Sequence, residues 1–583
     1  MIRDHFRVMV VDLSASRGKV VNVDGRDSEI GGSGLAALLF TKYGKAGKPW
    51  NDEEQPIIFA IGPLTGYFPL MSKTVCAFKS PYHNQYTESH AGGRTAYSLR
   101  FADIDALVIT GRAPVLSCIA VGSRLMEIKK ADFMQGMDVV ESGKLLRRMF
   151  KKGSGHRSIM RIGPAGENGA AMACINADTY RHFGRYGGGA AMGAKNLKAI
   201  VIQGDAIFPS PAEKEYPDLF QEVHTRLTST DMMKKYHNLG TPANLKTLNK
   251  IESLPWRNLQ ATSDPAINGI TGEAFADNAL LRNSSCSGCP VGCIHIGFVR
   301  EKFMEDNRYL YRQVAYDYEP IFSCGSMLGV TDTFSVLTIM DEMEKTGLDV
   351  MSGGVALAWA TEAFEKGLIS EKETVVPLKF GNAENYKKAA GFLGRGENDF
   401  YRLLAQGTIK AAEHYGGEDF ACVLGQEMAG YATGEVFFAS QSLSFRHSHL
   451  DTGGYTYDQQ HEDRVVENAV DFLMEDELGR IGLTCMVACL FARGVYTDEL
   501  VARCLDSVGY GSLAANIDNA TRHVQKLRWR TRFSTGYDID SVTIPKRFFK
   551  IKTWKGPIDG PYLDALKKRY AERIVALVNE ENR

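Results

Sequence analysis

The apolar pattern of this chain changes period near residue 209, and that change constrains its folding more than any single motif does. From residue 6 to about 204, short β-type runs recur between Gly and Pro: 7–13, 19–23, 57–61, 74–78, 106–110, 118–121 and 199–202. The first two, joined through Ser14-Ala15-Ser16-Arg17-Gly18, predict a hairpin. Beyond Pro209-Ser210-Pro211 the spacing becomes helical, with Phe334, Leu337, Met340 and Met343 following a start signal at Thr331-Asp332. Ser352 is placed to cap a helix reaching about Lys366, and Tyr562, Leu566, Tyr570, Ile574 and Leu577 stripe a last helix. A chain of 583 residues exceeds what one core accommodates. The expected fold class is therefore α+β, with a β-rich N-terminal domain over 1–208 and two mainly helical domains over 209–415 and 416–583, divided at Gly416-Gly417.

Composition excludes several classes. Lys+Arg 68 against Asp+Glu 69 leaves a net charge of −1, without the basic excess of a nucleic-acid binder. Hydrophobic residues at 44% and charged residues at 23% are globular proportions. Val8-Met9-Val10-Val11 is too short to cross a bilayer and is followed at once by Asp12, so neither a leader nor membrane insertion is expected and the chain is assigned to the cytoplasm. The eleven cysteines are odd in number and mostly scattered, which is no disulfide framework.

Three of the cysteines fall within Cys286-Ser287-Gly288-Cys289-Pro290-Val291-Gly292-Cys293. Thiolates bunched this closely point to a metal site. An Fe4S4 cluster needs a fourth ligand from far along the chain, for which Cys489 and Cys485 are the candidates. A Cys3His zinc site completed by His295 is the rival, because this stretch alone supplies all four of its ligands.

Two segments are rich in glycine. Gly31-Gly32-Ser33-Gly34-Leu35 begins a dinucleotide fingerprint but has Ala37 where the third glycine belongs, and it fits a helix start packed against a sheet equally well. The stretch from Arg181 to Lys198 sets Gly187, Gly188, Gly189 and Ala190 among Arg181, Arg185, Lys195 and Lys198, a pattern suited to a phosphate-bearing ligand. It leads into a strand and lacks Gly-Lys-Ser/Thr, so it is not a Walker loop.

The segments Gly62-Pro63-Leu64-Thr65-Gly66, Lys79-Ser80-Pro81, Ala91-Gly92-Gly93, Gly111-Arg112-Ala113, Ile162-Gly163-Pro164-Ala165-Gly166-Glu167-Asn168 and Met192-Gly193-Ala194-Lys195-Asn196-Leu197-Lys198-Ala199-Ile200 resemble, in that order, the aldehyde:ferredoxin oxidoreductase family of tungsten enzymes. With the cysteine run and Tyr318-Glu319, the likeness extends essentially end to end. The resemblance implies a β-rich base domain for a tungsten (or molybdenum) bis-pyranopterin, two helical domains, and an Fe4S4 cluster held by Cys286, Cys289, Cys293 and Cys489. Pterin and phosphate contacts carried over by motif are Lys73, His90, Gly92, Gly93, Arg181, Arg185, Gly187, Gly188, Gly189 and Ala190, with Mg2+ bridging the phosphates as a further candidate. Lys73 replaces the family's usual Arg, His90 stands where an Asn occurs, and Tyr186 interrupts the common Arg-Gly-Gly. A helical pterin motif of the form Asp-x-x-Gly-Leu-Asp/Cys is matched by Glu344, Leu348 and Asp349, and a degenerate second copy, Thr484-Cys485-Met486-Val487-Ala488-Cys489, favours Cys489 over Cys485.

For the chemistry, the resemblance implies oxidation of an aldehyde to a carboxylic acid, with Glu319 accepting a proton from attacking water and His449 polarising the substrate oxygen. His447 is the alternative in Arg446-His447-Ser448-His449-Leu450-Asp451, while Glu252, Tyr97 and Cys324 are secondary candidates for pocket walls. The implied electron partner is a ferredoxin or a ferredoxin-like subunit, in a homo- or hetero-oligomer. Two other functions compete: a low-potential reductase resembling the class II benzoyl-coenzyme A reductase subunit, suggested by Cys324, and a non-catalytic zinc or iron–sulfur binding protein.

Overall fold

A computed structural model describes residues 3–150, 156–208, 210–211, 213–302 and 308–580, so Pro209 of the expected linker lies outside the described residues. The chain forms two compact units interleaved in sequence. Unit 1 comprises Met1–Lys234, Ser285–Val291 and Leu478–Tyr537, and unit 2 comprises Lys235–Ser284, Gly292–Glu477 and Asp538–Arg583. Residues on both sides of Gly416-Gly417 fall in unit 2.

Unit 1 is built on two six-stranded sheets. The first contains β1 (Phe6–Asp12), β2 (Arg17–Val23), β3 (Ile57–Ala60), β4 (Thr74–Lys79), β5 (Tyr86–Ala91) and β6 (Ala106–Thr110), in the order β2-β1-β6-β3-β4-β5. β1 and β2 form the expected hairpin, antiparallel from Phe6 opposite Val23 to Asp12 opposite Arg17. The second contains β7 (Ser117–Val121), β8 (Met126–Lys130), β9 (His156–Arg161), β10 (Ile175–Ala177), β11 (Arg181–Phe183) and β12 (Leu197–Gly204), in the order β11-β10-β9-β12-β7-β8. Side chains alternate across a strand, so Met9 and Val11, Ile57 and Phe59, Leu107 and Ile109, Ile119 and Val121, and Ile200 and Ile202 all enter one core shared by the two sheets. The opposite face of the second sheet is closed by Leu146 and Phe150, at the end of helix Val139–Met149. Helix Gly32–Tyr43 packs on β3 and β4.

That helix explains the first glycine cluster. Gly32 has φ 45, and a Cβ there would stand 2.2 Å from the Thr484 carbonyl oxygen, while one at Gly34 would stand 2.1 Å from that of Glu29. Close backbone approach, not a dinucleotide, requires these glycines.

Sequence periodicity alone did not predict β5, because Tyr86-Thr87-Glu88-Ser89-His90-Ala91 has no apolar alternation. It is held instead by a buried polar network. Glu88 is fully buried and accepts from Arg528 Nε at 2.8 Å and Nη2 at 3.1 Å, Ser33 Oγ at 2.8 Å and Tyr86 Oη at 3.1 Å. Burial alone would raise its pKa, but Arg528 and His90 outweigh that and hold the carboxyl well below the usual glutamate range. A depressed folded-state pKa stabilises the fold above the ordinary glutamate range and loses that contribution as pH falls through it. Arg528→Met, which strands the buried charge, is expected to lower stability by about 3–5 kcal/mol near neutral pH, with a smaller loss in acid. Denaturant unfolding at the two pH values checks both the size and the sign.

Unit 2 is mainly helical. Asp332 caps helix Thr333–Thr346 by accepting from the Ser335 N–H, and Gly347, at φ 78, ends it. The next helix runs Val350–Glu365 and is capped by Asp349, which accepts from the N–H groups of Met351 and Ser352. Ser352 therefore lies inside this helix rather than at its cap: its hydroxyl donates to Asp349, and the longer-reaching carboxylate takes the capping position. The last helix, Gly560–Asn579, buries Tyr562, Leu566, Tyr570 and Ile574 as the stripe predicts. A three-stranded sheet interrupts the helical part, with β13 (Leu280–Ser284), β14 (Ile294–Lys302) and β15 (Tyr309–Tyr316) paired antiparallel in that order. Among the described residues no single helix is long and apolar enough to cross a membrane.

Candidate active site and cysteine loop

In unit 1 the first part of the cysteine run is a loop pinned at both ends. Ser287 N–H donates to the Gly93 carbonyl at 3.0 Å, and Leu70 N–H to that of Gly288 at 3.1 Å. The Leu70 carbonyl accepts in turn from Cys489 N–H at 3.0 Å, and Lys73 N–H donates to the Val487 carbonyl at 3.0 Å. One residue, Leu70, thus bridges the loop carrying Cys286 and Cys289 and the distant segment carrying Cys489. Leu70 and Val487 both adopt left-handed backbone, at φ 62 and 53, a strained state for apolar side chains that marks an over-determined site.

Cys485 is placed differently. Its side chain is fully buried at the end of helix Val466–Cys485, and burial pushes its thiol up to about 12. Cys286, Cys289 and Cys489 are each half-buried. Burial would likewise raise the Cys286 thiol, but Arg181 and Lys73 beside it, with a backbone hydrogen bond at Gly93, bring it below its ordinary value. A Cβ on Gly92 would stand 2.6 Å from Cys286 Sγ and 3.5 Å from Lys73 Nζ, so only glycine permits this approach. Lys73, Gly92, Gly93 and Arg181 are therefore gathered around Cys286.

Cys293 lies in unit 2, immediately before β14. The nitrogens of His295, two residues on, stand 3.2 Å from the Cys293 carbonyl oxygen and 3.1 and 3.0 Å from those of His237 and Asn238. The ring thus faces backbone carbonyl oxygens on both sides. Among the described residues no three His, Cys, Asp or Glu side chains converge on one metal-sized point. An Fe4S4 cluster makes no such demand, because each cysteine binds its own iron.

The second glycine-rich segment divides into parts with different roles. Tyr186 is buried at φ 75, with its carbonyl accepting from Ser80 Oγ at 2.8 Å. Gly187, at φ 80, caps the short helix Gly188–Gly193 that contains Gly189 and the fully buried Ala190. A Cβ on Gly187 would lie 2.2 Å from Pro81 Cγ, and one on Gly189 2.5 Å from the Cys174 carbonyl oxygen, so the chain's own close packing demands these two glycines. Lys195 and Lys198 do not flank a ligand as the pattern suggested. Lys195 Nζ is buried and donates to the carbonyls of Glu53 and Gly111, and burial, with Arg112 nearby, draws it down to about 7. Lys198 Nζ donates to the Met137 carbonyl and to Glu167. Half-buried Arg181, Arg185 and His90 remain as polar groups at this end of the unit, His90 Nε2 standing 3.2 Å from Glu88.

Unit 2 assembles a second constellation. Glu319 lies in the first turn of helix Tyr318–Cys324, where a carboxylate complements the helix N-terminus. Its Oε1 stands 3.0 Å from His449 Nε2 and accepts a long hydrogen bond, 3.5 Å, from Tyr431 Oη. His449 belongs to a turn closed by the buried pair Arg446–Asp451, in which Arg446 Nε donates to Asp451 Oδ1 at 2.7 Å. The Tyr431 ring packs 4.9 Å from Tyr318, 4.9 Å from Tyr455 and 5.2 Å from His449, enclosing the pair in aromatic surface. Burial, together with Glu319, raises the Tyr431 hydroxyl well above the ordinary tyrosine range, so it stays a proton donor.

His447 is not part of this group. It sits at φ 47 with Nδ1 2.7 Å from the Ser442 carbonyl oxygen, and it packs where a Cβ on Gly425 would be 2.1 Å away. Glu344 is half-buried near the end of its helix, Leu348 is buried, and Asp349 is the cap already described. Of the secondary candidates, Cys324 is fully buried, and burial pushes its thiol up to about 12. Glu252 lines a separate cavity of about 1070 Å³ with Glu362 and Arg547. Tyr97 lies against the cysteine loop, since a Cβ on Gly288 would meet its hydroxyl at 1.8 Å. Sequence reasoning missed Leu70 and Tyr431: nothing local marks a backbone bridge, and an aromatic wall looks like any core tyrosine.

Unit 1 thus holds an anchored thiol loop beside fixed cations, and unit 2 a carboxylate–imidazole pair. Two family models match almost the whole chain: the N-terminal domain of aldehyde ferredoxin oxidoreductase over residues 8–204, and domains 2 and 3 of the same family over 218–574. The chain belongs to the aldehyde ferredoxin oxidoreductase family and is an oxidoreductase of that family. A tungsten-containing aldehyde ferredoxin oxidoreductase of Pyrococcus furiosus is 31% identical over 419 residues, 70% of this chain and 67% of that one. Its counterpart from Pyrococcus horikoshii is 31% identical over 388 residues, 65% of this chain and 62% of that one. An aliphatic sulfonate oxidoreductase, WOR-like subunit, of Pyrococcus furiosus is 27% identical over 425 residues, 69% of this chain and 66% of that one. The matched stretch thus spans about two thirds of the length of these relatives. Among solved structures, the active-site complex of benzoyl coenzyme A reductase with 1,5-dienoyl-CoA shares the fold at a TM-score of 0.79 and 19% identity, covering 98% of this chain and 95% of that one.

Proposed function

We propose that this protein oxidises an aldehyde to a carboxylic acid and delivers the two electrons singly to a ferredoxin or ferredoxin-like subunit in the cytoplasm. The observation that carries the proposal is the Glu319–His449 pair, 3.0 Å apart and walled by Tyr318, Tyr431 and Tyr455, in a chain of this family. Lys73, His90, Gly92, Gly93, Arg181, Arg185, the Gly187–Ala190 backbone, Glu344, Leu348 and Asp349 are proposed to hold a tungsten (or molybdenum) bis-pyranopterin, with Mg2+ on its phosphates. Cys286, Cys289, Cys293 and Cys489 are proposed to hold an Fe4S4 cluster. The cations fixed around Cys286 suit both groups, which are anionic. When bound, the pterin metal would supply two-electron redox chemistry and the cluster one-electron transfer.

The chain's own residues handle the protons. His449 Nε2 stands 3.0 Å from Glu319 Oε1, within hydrogen-bonding reach. An entering carbonyl oxygen takes over that hydrogen bond, which polarises the carbonyl and leaves Glu319 Oε1 to accept a proton from attacking water. Tyr431 Oη donates to the same carboxylate and keeps it oriented. Aldehyde and water thus give carboxylic acid, two protons and two electrons. The burial of Cys324 supports this reading over the reductase alternative, since its thiol is enclosed in the core of unit 2.

Elemental and pterin analysis of anaerobically purified protein tests the assignment, together with aldehyde-dependent reduction of methyl viologen. The expected result is about four Fe, one W or Mo and two pterins per chain, with viologen turnover. Zinc alone, without pterin, from a host able to make the cofactor would sink the proposal.

A further inference from the structure

We propose that the cavity of about 1070 Å³ in unit 2, lined among others by Lys550, Lys552, Glu252, Glu418 and Phe420, is a binding site for a ribonucleotide. Neither Glu319 nor His449 lines it, so it is a second site rather than part of the first.

Glu252 and four chain segments wall the cavity: 259–263, the end of helix Val350–Glu365 with the residues after it, the turn at 417–420, and 547–552. The first wall follows an unusual backbone. Arg257, Asn258 and Leu259 lie in succession at φ 45, 54 and 57, and Glu252 is at φ 49. Left-handed backbone disfavours L side chains, and successive residues hold it only where surrounding contacts over-determine it, as at ligand clamps. Those contacts are present. The N–H groups of Arg257 and Asn258 donate to the Ser326 and Met327 carbonyls at 3.0 and 3.1 Å. Asn258 Nδ2 donates to Glu362 Oε2 at 2.8 Å and to the Phe420 carbonyl at 3.0 Å, and both of these residues line the cavity. Asn258 is fully buried, and its Oδ1 has no hydrogen-bond partner among the described residues. Native proteins rarely leave a buried acceptor unspent, and one behind a cavity wall marks a place that another group completes.

The charges that stay open on the walls define the ligand. Buried Glu362 is taken up within the protein by Arg547, by Asn258 and by Lys366 Nζ at 3.6 Å. Asp419 pairs with Lys546 at 3.0 Å. Exposed Lys550 and Lys552 have no ion-pair partner among the described residues, and neither do half-buried Glu252 and exposed Glu418. A bare anion would answer only the lysines, and a bare cation only the carboxylates. A molecule that carries both phosphate and hydrogen-bond donors answers all four: the ammonium groups bind phosphate oxygens, while the carboxylates accept from ribose hydroxyls or a base amino group. Leu259, Phe420 and Ile551 add apolar surface against which a flat base packs. The volume is that of a pocket for a cofactor-sized molecule.

The test is calorimetric titration of the full purified chain with ADP, and with adenosine and inorganic phosphate as its two halves. ADP is expected to bind with micromolar Kd, more tightly than either half. Lys550→Glu combined with Lys552→Glu is expected to raise the ADP Kd by about tenfold or more. The unfolding midpoint should match the wild type, since both lysines are exposed. Absence of ADP binding by the wild type would overturn the site. An ADP Kd untouched by the two reversals would also overturn it, by placing the nucleotide elsewhere on the chain. Inorganic phosphate binding as tightly as ADP would overturn the ligand class. Binding is read directly, so these outcomes hold whether or not the chain oxidises aldehydes.

Discussion

Replacing Glu319 with Gln is expected to lower aldehyde turnover by about two to four powers of ten while leaving metal and pterin content unchanged. The amide keeps the side-chain shape and still accepts from His449 Nε2 and Tyr431 Oη, but it cannot take a proton from water. The loss should appear in kcat with methyl viologen as acceptor, so that electron exit is not limiting. His449→Gln is expected to act on the same step, with a raised KM as well, because it removes the group that meets the substrate oxygen. His447→Gln should behave differently: its ring is packed against Gly425 and bonded to the Ser442 carbonyl, so its loss lowers the unfolding midpoint before it lowers the rate. Full turnover by Glu319→Gln protein with normal metal content would remove Glu319 from the mechanism.

The second large effect separates two neighbouring cysteines. Cys489→Ala is expected to strip most of the iron from the purified protein, because three cysteines hold an Fe4S4 cluster poorly. Cys485→Ala should keep its iron and instead lose about 1–2 kcal/mol of stability, as removal of a small buried side chain does. The contrast follows from placement, with Cys489 hydrogen-bonded to Leu70 beside the loop and Cys485 enclosed at the helix end. Iron loss on Cys485→Ala with retention on Cys489→Ala would reverse the assignment.

Much of the fold was legible because it is written in local periodicity. Alternating apolar pairs such as Ile57 and Phe59 or Ile200 and Ile202 announced strands, and all four side chains meet in one core. Asp332 and Gly347 bracketed a helix, and the stripe from Tyr562 to Ile574 was buried as its spacing required. The polar strand β5 was not legible, because Glu88 is stabilised by Arg528, 440 residues away in sequence. Nor was the sheet of β13, β14 and β15 inside the helical part, whose exposed Leu281, Leu310 and Tyr311 break the alternation.

At the candidate site the division is sharper. The sequence by itself determined the chemical inventory: a bunched cysteine run, a distant pair of cysteines, a glutamate among apolar neighbours and two histidines two residues apart. Motif order and residue type carry that information, since family chemistry demands particular side chains in a particular succession. Only the tertiary structure places the members of each pair apart. Cys489 rather than Cys485 lies beside the loop because Leu70 spends its N–H on one segment and its carbonyl on the other. His449 rather than His447 meets Glu319 because the buried Arg446–Asp451 pair sets the turn. The fold's own close packing requires glycine at 187 and 189, whatever their backbone binds, and the lysines at 195 and 198, which looked like flanks of an anion cradle, are committed to backbone carbonyls and Glu167. Choices of this kind depend on hydrogen bonds and contacts between residues far apart in the chain, and no local pattern encodes those.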